Sequence, residues 1–249
     1  MRLIKIISIV FLFMNLTFFS FAQQLPLPSI DIKISPGQGP QQLALGLQII
    51  LLLTILTLAP AILIMLTSFT RIIIVLAFTR HALALQQVPP NQILIGLALF
   101  LTFFIMAPTL REINTTSLQP YLKGELSQTE AIERAVSPLR EFMFKQTREN
   151  DLALFVQISK LSRPKSPEDI PTYVLVPSFI ISELKTAFQM GFLLFVPFLL
   201  IDMVVASTLM SMGMFLLPPI IISFPFKILL FIMVDGWHLI SRSLTYSFR

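Results

Sequence analysis

A chain of 249 residues that is 55% hydrophobic and 12% charged, with a mean hydropathy of +0.82, has the composition of a membrane protein and is excluded from folding alone in water. It contains no cysteine, which excludes a disulfide framework, a thiolate nucleophile and a Cys-built metal site, and its two histidines, His81 and His238, lie far apart in the chain.

The first residues place Arg2 and Lys5 before an apolar run that ends in Ser20-Phe21-Ala22, a small-x-small pattern. This predicts a signal peptide over residues 1–22, cleaved after Ala22; an uncleaved first membrane helix is the alternative. Losing Arg2 and Lys5 takes the formal charge from +5 to +3, too little to argue for nucleic-acid binding. Residues 23–42 form an extended lead-in rich in Pro, Gly and Gln. From Leu43 to Thr70 there is no charge, a span long enough to cross a bilayer. With "IIIVLAF" beyond Arg71 and a second run from Ile93 to Met106, it predicts an apolar helical hairpin over residues 43–110. The paired prolines of "QQVPPNQ" supply its turn. The second run, stopping at Pro108, is short for a crossing.

Residues 111–185 hold the water-compatible part of the chain, with ten basic and ten acidic side chains. Ser127 and Glu130 have the spacing of a capping box, and Phe142, Phe144, Leu152, Leu154 and Phe155 supply apolar faces, so a small extracytoplasmic helical domain is expected. "SRPKSPEDIPTYVLVPS" is its Pro-rich exit. Residues 186–249 form a second apolar helical hairpin, carrying Pro197 and Pro225 and turning through the uncharged stretch "LMSMGMFLLPP".

The charges conflict over topology. Arg71, Arg80 and His81 put the first turn in the cytoplasm, yet four simple crossings then export Arg242 and Arg249, against the positive-inside tendency. With Pro60, Pro197 and Pro225 inside three runs and a second run too short for a simple crossing, this predicts broken helices packed largely against other subunits. The fold class is therefore an all-α membrane protein of broken and hairpin apolar helices, with a small helical domain.

Arg71, Asp202, Lys227 and Asp235 are ionisable groups in or beside apolar runs, where charge is costly. They pair across helices or subunits, or they line an ion pathway; pairing is the reading preferred, because no inverted repeat is visible. An Asp202–Asp235 dyad is the only catalytic arrangement to weigh, and nearby Lys227 argues for a salt bridge instead. No H-E-x-x-H or G-x-S-x-G motif occurs, so neither an enzyme nor a cofactor is expected. Met210, Met212 and Met214 alternate around Gly213 and are followed by Phe215 and a proline stop. They are ordinary gap-filling core, or they are a soft ring closing a pore.

The stretches "LTSFTRIIIVLAFTRHAL", "PPNQILIGLALFLTFFIMAP", "PLREFMFKQTRENDLALF", "VPSFIISELKTAFQMGFLLFVPFLLIDMVVASTLMSMGM" and "PPIIISFPFKILLFIMVDGWHL" resemble the FliP family of flagellar biosynthetic proteins, whose injectisome counterparts serve type III secretion. The likeness runs in unbroken order from about Leu43 to Phe248. It implies a noncatalytic subunit of the flagellar type III export gate at the bacterial inner membrane and flagellar basal body. Much of that assembly stands on the periplasmic side. Several copies, a pentamer-like set, would join FliQ and FliR proteins and the wider export apparatus, touch lipid, and pass unfolded flagellar proteins through a central pore. It also implies that the methionine loop is a gasket, the matching stretch being Gly213-Met214-Phe215-Leu216; with the alternating Met210 and Met212, the expected gasket residues are Met210, Met212, Gly213, Met214 and Phe215. Phe215 and Leu216 stand where relatives carry further methionines. An ion-coupled secondary transporter acting without partner subunits is the alternative function.

Overall fold

The computed structural model describes residues 40–161, 164 and 166–248. The signal peptide expected over 1–22 and most of the lead-in to 42 lie outside the described residues. The described residues form helices and connecting turns only, which makes the fold all-α: α1 (Pro40–Met65), α2 (Phe69–Ala82), α3 (Asn91–Ile113), a π-helical turn (Asn114–Leu118), α4 (Gln119–Leu122), α5 (Gln128–Gln146), α6 (Glu149–Ile158), a 3-10 turn (Pro167–Asp169), α7 (Thr172–Ser211), α8 (Pro219–Met233) and α9 (Gly236–Tyr246). The chain divides into two units between Leu51 and Leu52, and the second contains α2 to α9.

The prolines inside the apolar runs do not stop their helices. The second run was expected to end at Pro108, but α3 passes through that residue, and with the π turn and α4 forms a 32-residue apolar helix, Asn91–Leu122. One proline removes one ladder hydrogen bond and adds a local clash, and the bonds on either side still hold the helix together. Pro197 and Pro225 likewise sit inside α7 and α8. The interruptions fall where the chain offers the backbone another partner. Between α1 and α2, Thr67 Oγ1 donates to the Ile64 carbonyl at 2.8 Å and accepts from the Phe69 N–H at 3.4 Å. Between α8 and α9 the chain bends by 63° at Asp235, which takes the left-handed conformation with φ 49°. By length and composition, α3–α4 and α7 can each cross a bilayer, and the bent α8–α9 pair can form a third span.

The core centres on α2. Ile72, Val75 and Leu76 are fully buried against Leu94 and Ala98 of α3 and Ala187 of α7, with Phe198, Phe231, Ile240 and Leu244 closing the cluster from α7, α8 and α9. Small residues set how near α2 and α7 approach. A Cβ at Gly191 would stand 2.6 Å from Cγ and 3.0 Å from Cβ of Phe78, too close for the ring to be spared by a rotamer change. Phe78 is held in turn by an edge-to-face contact with Phe188, centroids 5.3 Å apart. Gly191→Ala is therefore expected to cost about 1–3 kcal/mol, read as a lowered thermal midpoint of the detergent-extracted protein. An unchanged midpoint would mean that the two helices part without loss.

The water-compatible segment bears out the capping box. Ser127 Oγ accepts from the Glu130 N–H, and Glu130 Oε2 accepts from the Ser127 N–H at 3.0 Å. The Ser127 backbone bond, followed by its hydroxyl, holds the Glu130 carboxyl below its ordinary pKa. One amphipathic stretch becomes two helices, α5 and α6, because the chain extends at Thr147 and Arg148. Phe142, Phe144 and Leu152 pack on a second small core of Met143, Leu175 and Phe179, whereas Leu154 faces outward. Ser182 of α7 clamps the start of α6, accepting from the Arg148 N–H at 3.0 Å and donating to Asp151 at 2.8 Å. Arg140 ties α5 to the start of α7 through Thr172 Oγ1 and the Ile170 carbonyl, each at 2.6 Å. Residues 110 and 185, expected as domain limits, both lie within continuous helices.

Candidate functional site

The methionine loop is the turn of the α7–α8 hairpin, and its shape follows from one residue. Gly213 has φ +76°, its N–H donates to the Met210 carbonyl at 3.1 Å, and the Met214 N–H reaches back to the Leu209 carbonyl at 3.0 Å. These are the two bonds of a Schellman motif, which satisfies the last carbonyls of a helix by turning the chain through a left-handed residue. Pro219 then opens α8 at its first position, where its missing N–H costs nothing. The last turns of α7, which carry no charge after Asp202, thus end in the midst of apolar sequence because glycine and proline punctuate them.

The hairpin leaves the loop side chains uncovered. Met210 is 57% exposed, Met212 65%, Phe215 76% and Leu216 98%, while Met214 is partly covered and Leu209 is buried. Within the chain, then, Met210 and Met212 are not core filler. An apolar groove of about 560 Å³ runs down the same hairpin, lined by Leu200, Val204, Thr208, Ile222 and Phe226 among others.

Two ion pairs brace the helices, one fully buried and one with its carboxylate half-buried. Lys227, 2% exposed, donates to Asp202 Oδ2 at 2.6 Å, and Ser223, one turn earlier on the same face of α8, donates to Asp202 Oδ1 at 2.5 Å. Asp202 is therefore joined to Lys227 and not to Asp235. The second pair joins Arg71 to Glu183, whose carboxylate accepts from Arg71 Nε at 3.0 Å and also from Nη2. Sequence reasoning singled out Arg71 but missed Glu183. The signal was available: Ser178, Ser182 and Glu183 are polar residues between apolar ones in the first half of α7, and all three are fully buried. Asp235 stands apart, exposed, with no ion pair among the described residues. Among those residues no group of three or more His, Asp or Glu side chains is placed to hold a metal.

The long apolar helices, the exposed apolar hairpin and the buried charge pairs define an all-α membrane protein with large uncovered apolar faces. Residues 52–244 match the FliP family, and the chain belongs to it. It is 58% identical over 217 residues to the flagellar biosynthetic protein FliP of Bacillus subtilis, covering 87% of this chain and 98% of that one. The protein of the same name from Pectobacterium carotovorum is 52% identical, with 89% and 86% covered. That of Borreliella burgdorferi is 47% identical, with 96% and 97% covered.

Proposed function

We propose that this chain is a noncatalytic subunit of a flagellar protein export gate, in which copies of the α7–α8 hairpin surround a pore and the Met210–Phe215 loop seals it. The relatives are flagellar biosynthetic proteins by name. The observation that carries the reading is the loop itself: an uncharged turn with a fixed backbone and free thioether and aromatic side chains that its own chain does not bury. Methionine has three rotatable bonds and a polarizable sulfur, so such side chains can close against one another and yield to varied cargo at little strain. Met210, Met212, Gly213, Met214 and Phe215 are the seal. Arg71, Asp202, Lys227 and Asp235 serve assembly.

Uncovered apolar faces elsewhere support a gate of several copies with FliQ and FliR proteins in the bacterial inner membrane. Phe100, Phe103 and Phe104 on α3, with Phe192 and Leu193 on α7, are all more than half exposed in the single chain. They need lipid or other subunits. The helical segment over 111–185 faces the periplasm in this reading, which requires an exported N-terminus. Mature protein should therefore begin at Gln23, and an intact Met1 in the assembled complex would reverse that part.

The test of the seal is a Met212→Ala, Met214→Ala double variant. Truncating both removes the side chains that fill the closure but leaves the Gly213 turn in place. The expected result is a complex of normal size with raised permeability of cells to ions or small solutes. Normal assembly with no leak puts the seal elsewhere. Lost assembly with tight residual complexes makes the loop ordinary packing.

A further inference from the structure

The short segment after α9 returns to the buried Arg71 and completes its surroundings. Arg71 Nη1 donates to the Ser247 carbonyl at 2.9 Å and to Ser247 Oγ at 3.0 Å. Nη2 donates to Gln146 Oε1 at 3.1 Å as well as to Glu183. The Phe248 ring covers the guanidinium face, 3.8 Å from Cζ to centroid, and its carbonyl accepts from Gln146 Nε2 at 3.4 Å. Phe248 also stacks on Phe142, centroids 6.1 Å apart and planes 19° from parallel, and Phe142 meets Phe179 edge-on. Glu183 alone would leave Nη1 without an acceptor in a side chain that is 2% exposed. A guanidinium cannot shed its proton to escape that cost.

We propose that Ser247–Phe248 is a clasp that docks on Arg71 and thereby holds the end of α5 against α2 and α7. Gln146 and Phe142 both lie in the last turns of α5: Gln146 is held between Arg71 and the Phe248 carbonyl, and Phe142 between the rings of Phe179 and Phe248. The helical segment over 128–158 therefore takes its position on the apolar helices partly from residues about a hundred positions further along the chain. Ser247 and Phe248 are positioning residues that act through Arg71. This reading is independent of whether the α7–α8 loop seals a pore.

The chain's lack of cysteine makes a single-thiol reporter possible. Met143 on α5 is 1% exposed in the small core beneath the clasp, so Met143→Cys in the full-length, membrane-assembled protein should label slowly with a maleimide. Adding Phe248→Leu keeps the bulk and apolarity but loses the ring face over the guanidinium and the stack on Phe142. Labelling should then quicken by at least about tenfold, the signature of α5 opening more often. Phe248→Tyr keeps the ring and should label at the parent rate. If Phe248→Leu does not accumulate, Ser247→Ala removes one acceptor from Nη1 and should quicken labelling about two- to threefold. Parent-rate labelling in the Leu or Ala variant overturns the clasp. Equal acceleration by Tyr and Leu also overturns it, because the site then senses fit alone.

Discussion

Glu183→Ala is expected to destabilise the protein by about 3–5 kcal/mol and to remove most of the assembled material from detergent extracts. The Glu183 side chain is fully buried and, among the described residues, is the one anionic partner of Arg71. Truncating it leaves the guanidinium with neutral acceptors only, from Ser247 and Gln146. Glu183→Gln still offers a carbonyl oxygen and should lose less. The measurement is the yield of complex at matched expression, with its thermal midpoint. Parent-level yield for the alanine variant would mean that water or another chain compensates Arg71. An apolar replacement of both partners, Arg71→Met with Glu183→Leu, should not restore the parent, because Gln146 Oε1 and both Ser247 acceptors would then face apolar surface.

Asp202→Ala should have a loss of the same order, about 3–5 kcal/mol, because Lys227 is buried and, among the described residues, Asp202 is its one ion-pair partner. Here the rescue should differ. The pair has one further partner, Ser223 Oγ, which also reaches the Ile220 carbonyl at 3.2 Å. Asp202→Leu with Lys227→Met removes both charges and leaves that hydroxyl a backbone acceptor, so assembly should recover to near the parent level. Recovered assembly with export lost would assign the pair a part in transport itself, as an ion-coupled transporter requires. Recovered assembly with export intact makes it a brace between α7 and α8.

Much of this protein was legible in the sequence because the signals are local. Composition and uncharged runs place it in a membrane. Ser127 and Glu130, three residues apart, cap α5 as their spacing predicts. Gly213 and Pro219 mark the hairpin turn, since φ > 0 and a missing N–H are properties of single residues. The strong local sequence likeness also carried the family.

Tertiary structure decided what depends on which faces meet. Proline in a helix costs about 3 kcal/mol but acts locally, so whether Pro108, Pro197 and Pro225 break their helices depends on the surrounding packing, and all three stay helical. Burial of ionisable groups can be guessed from apolar flanks, and nearby Lys227 already pointed to a salt bridge, but partnership across long separations cannot be read, because it rests on distance across the fold. Lys227 finds Asp202 on the neighbouring helix, whereas Arg71 finds Glu183 at a separation of 112 residues and Ser247 at 176. Asp235 reads as a charge in the sequence, yet its conspicuous feature in the fold is a left-handed backbone at the 63° bend between α8 and α9. A side chain's identity limits what it can do, and only its neighbours in space determine which of those things it does.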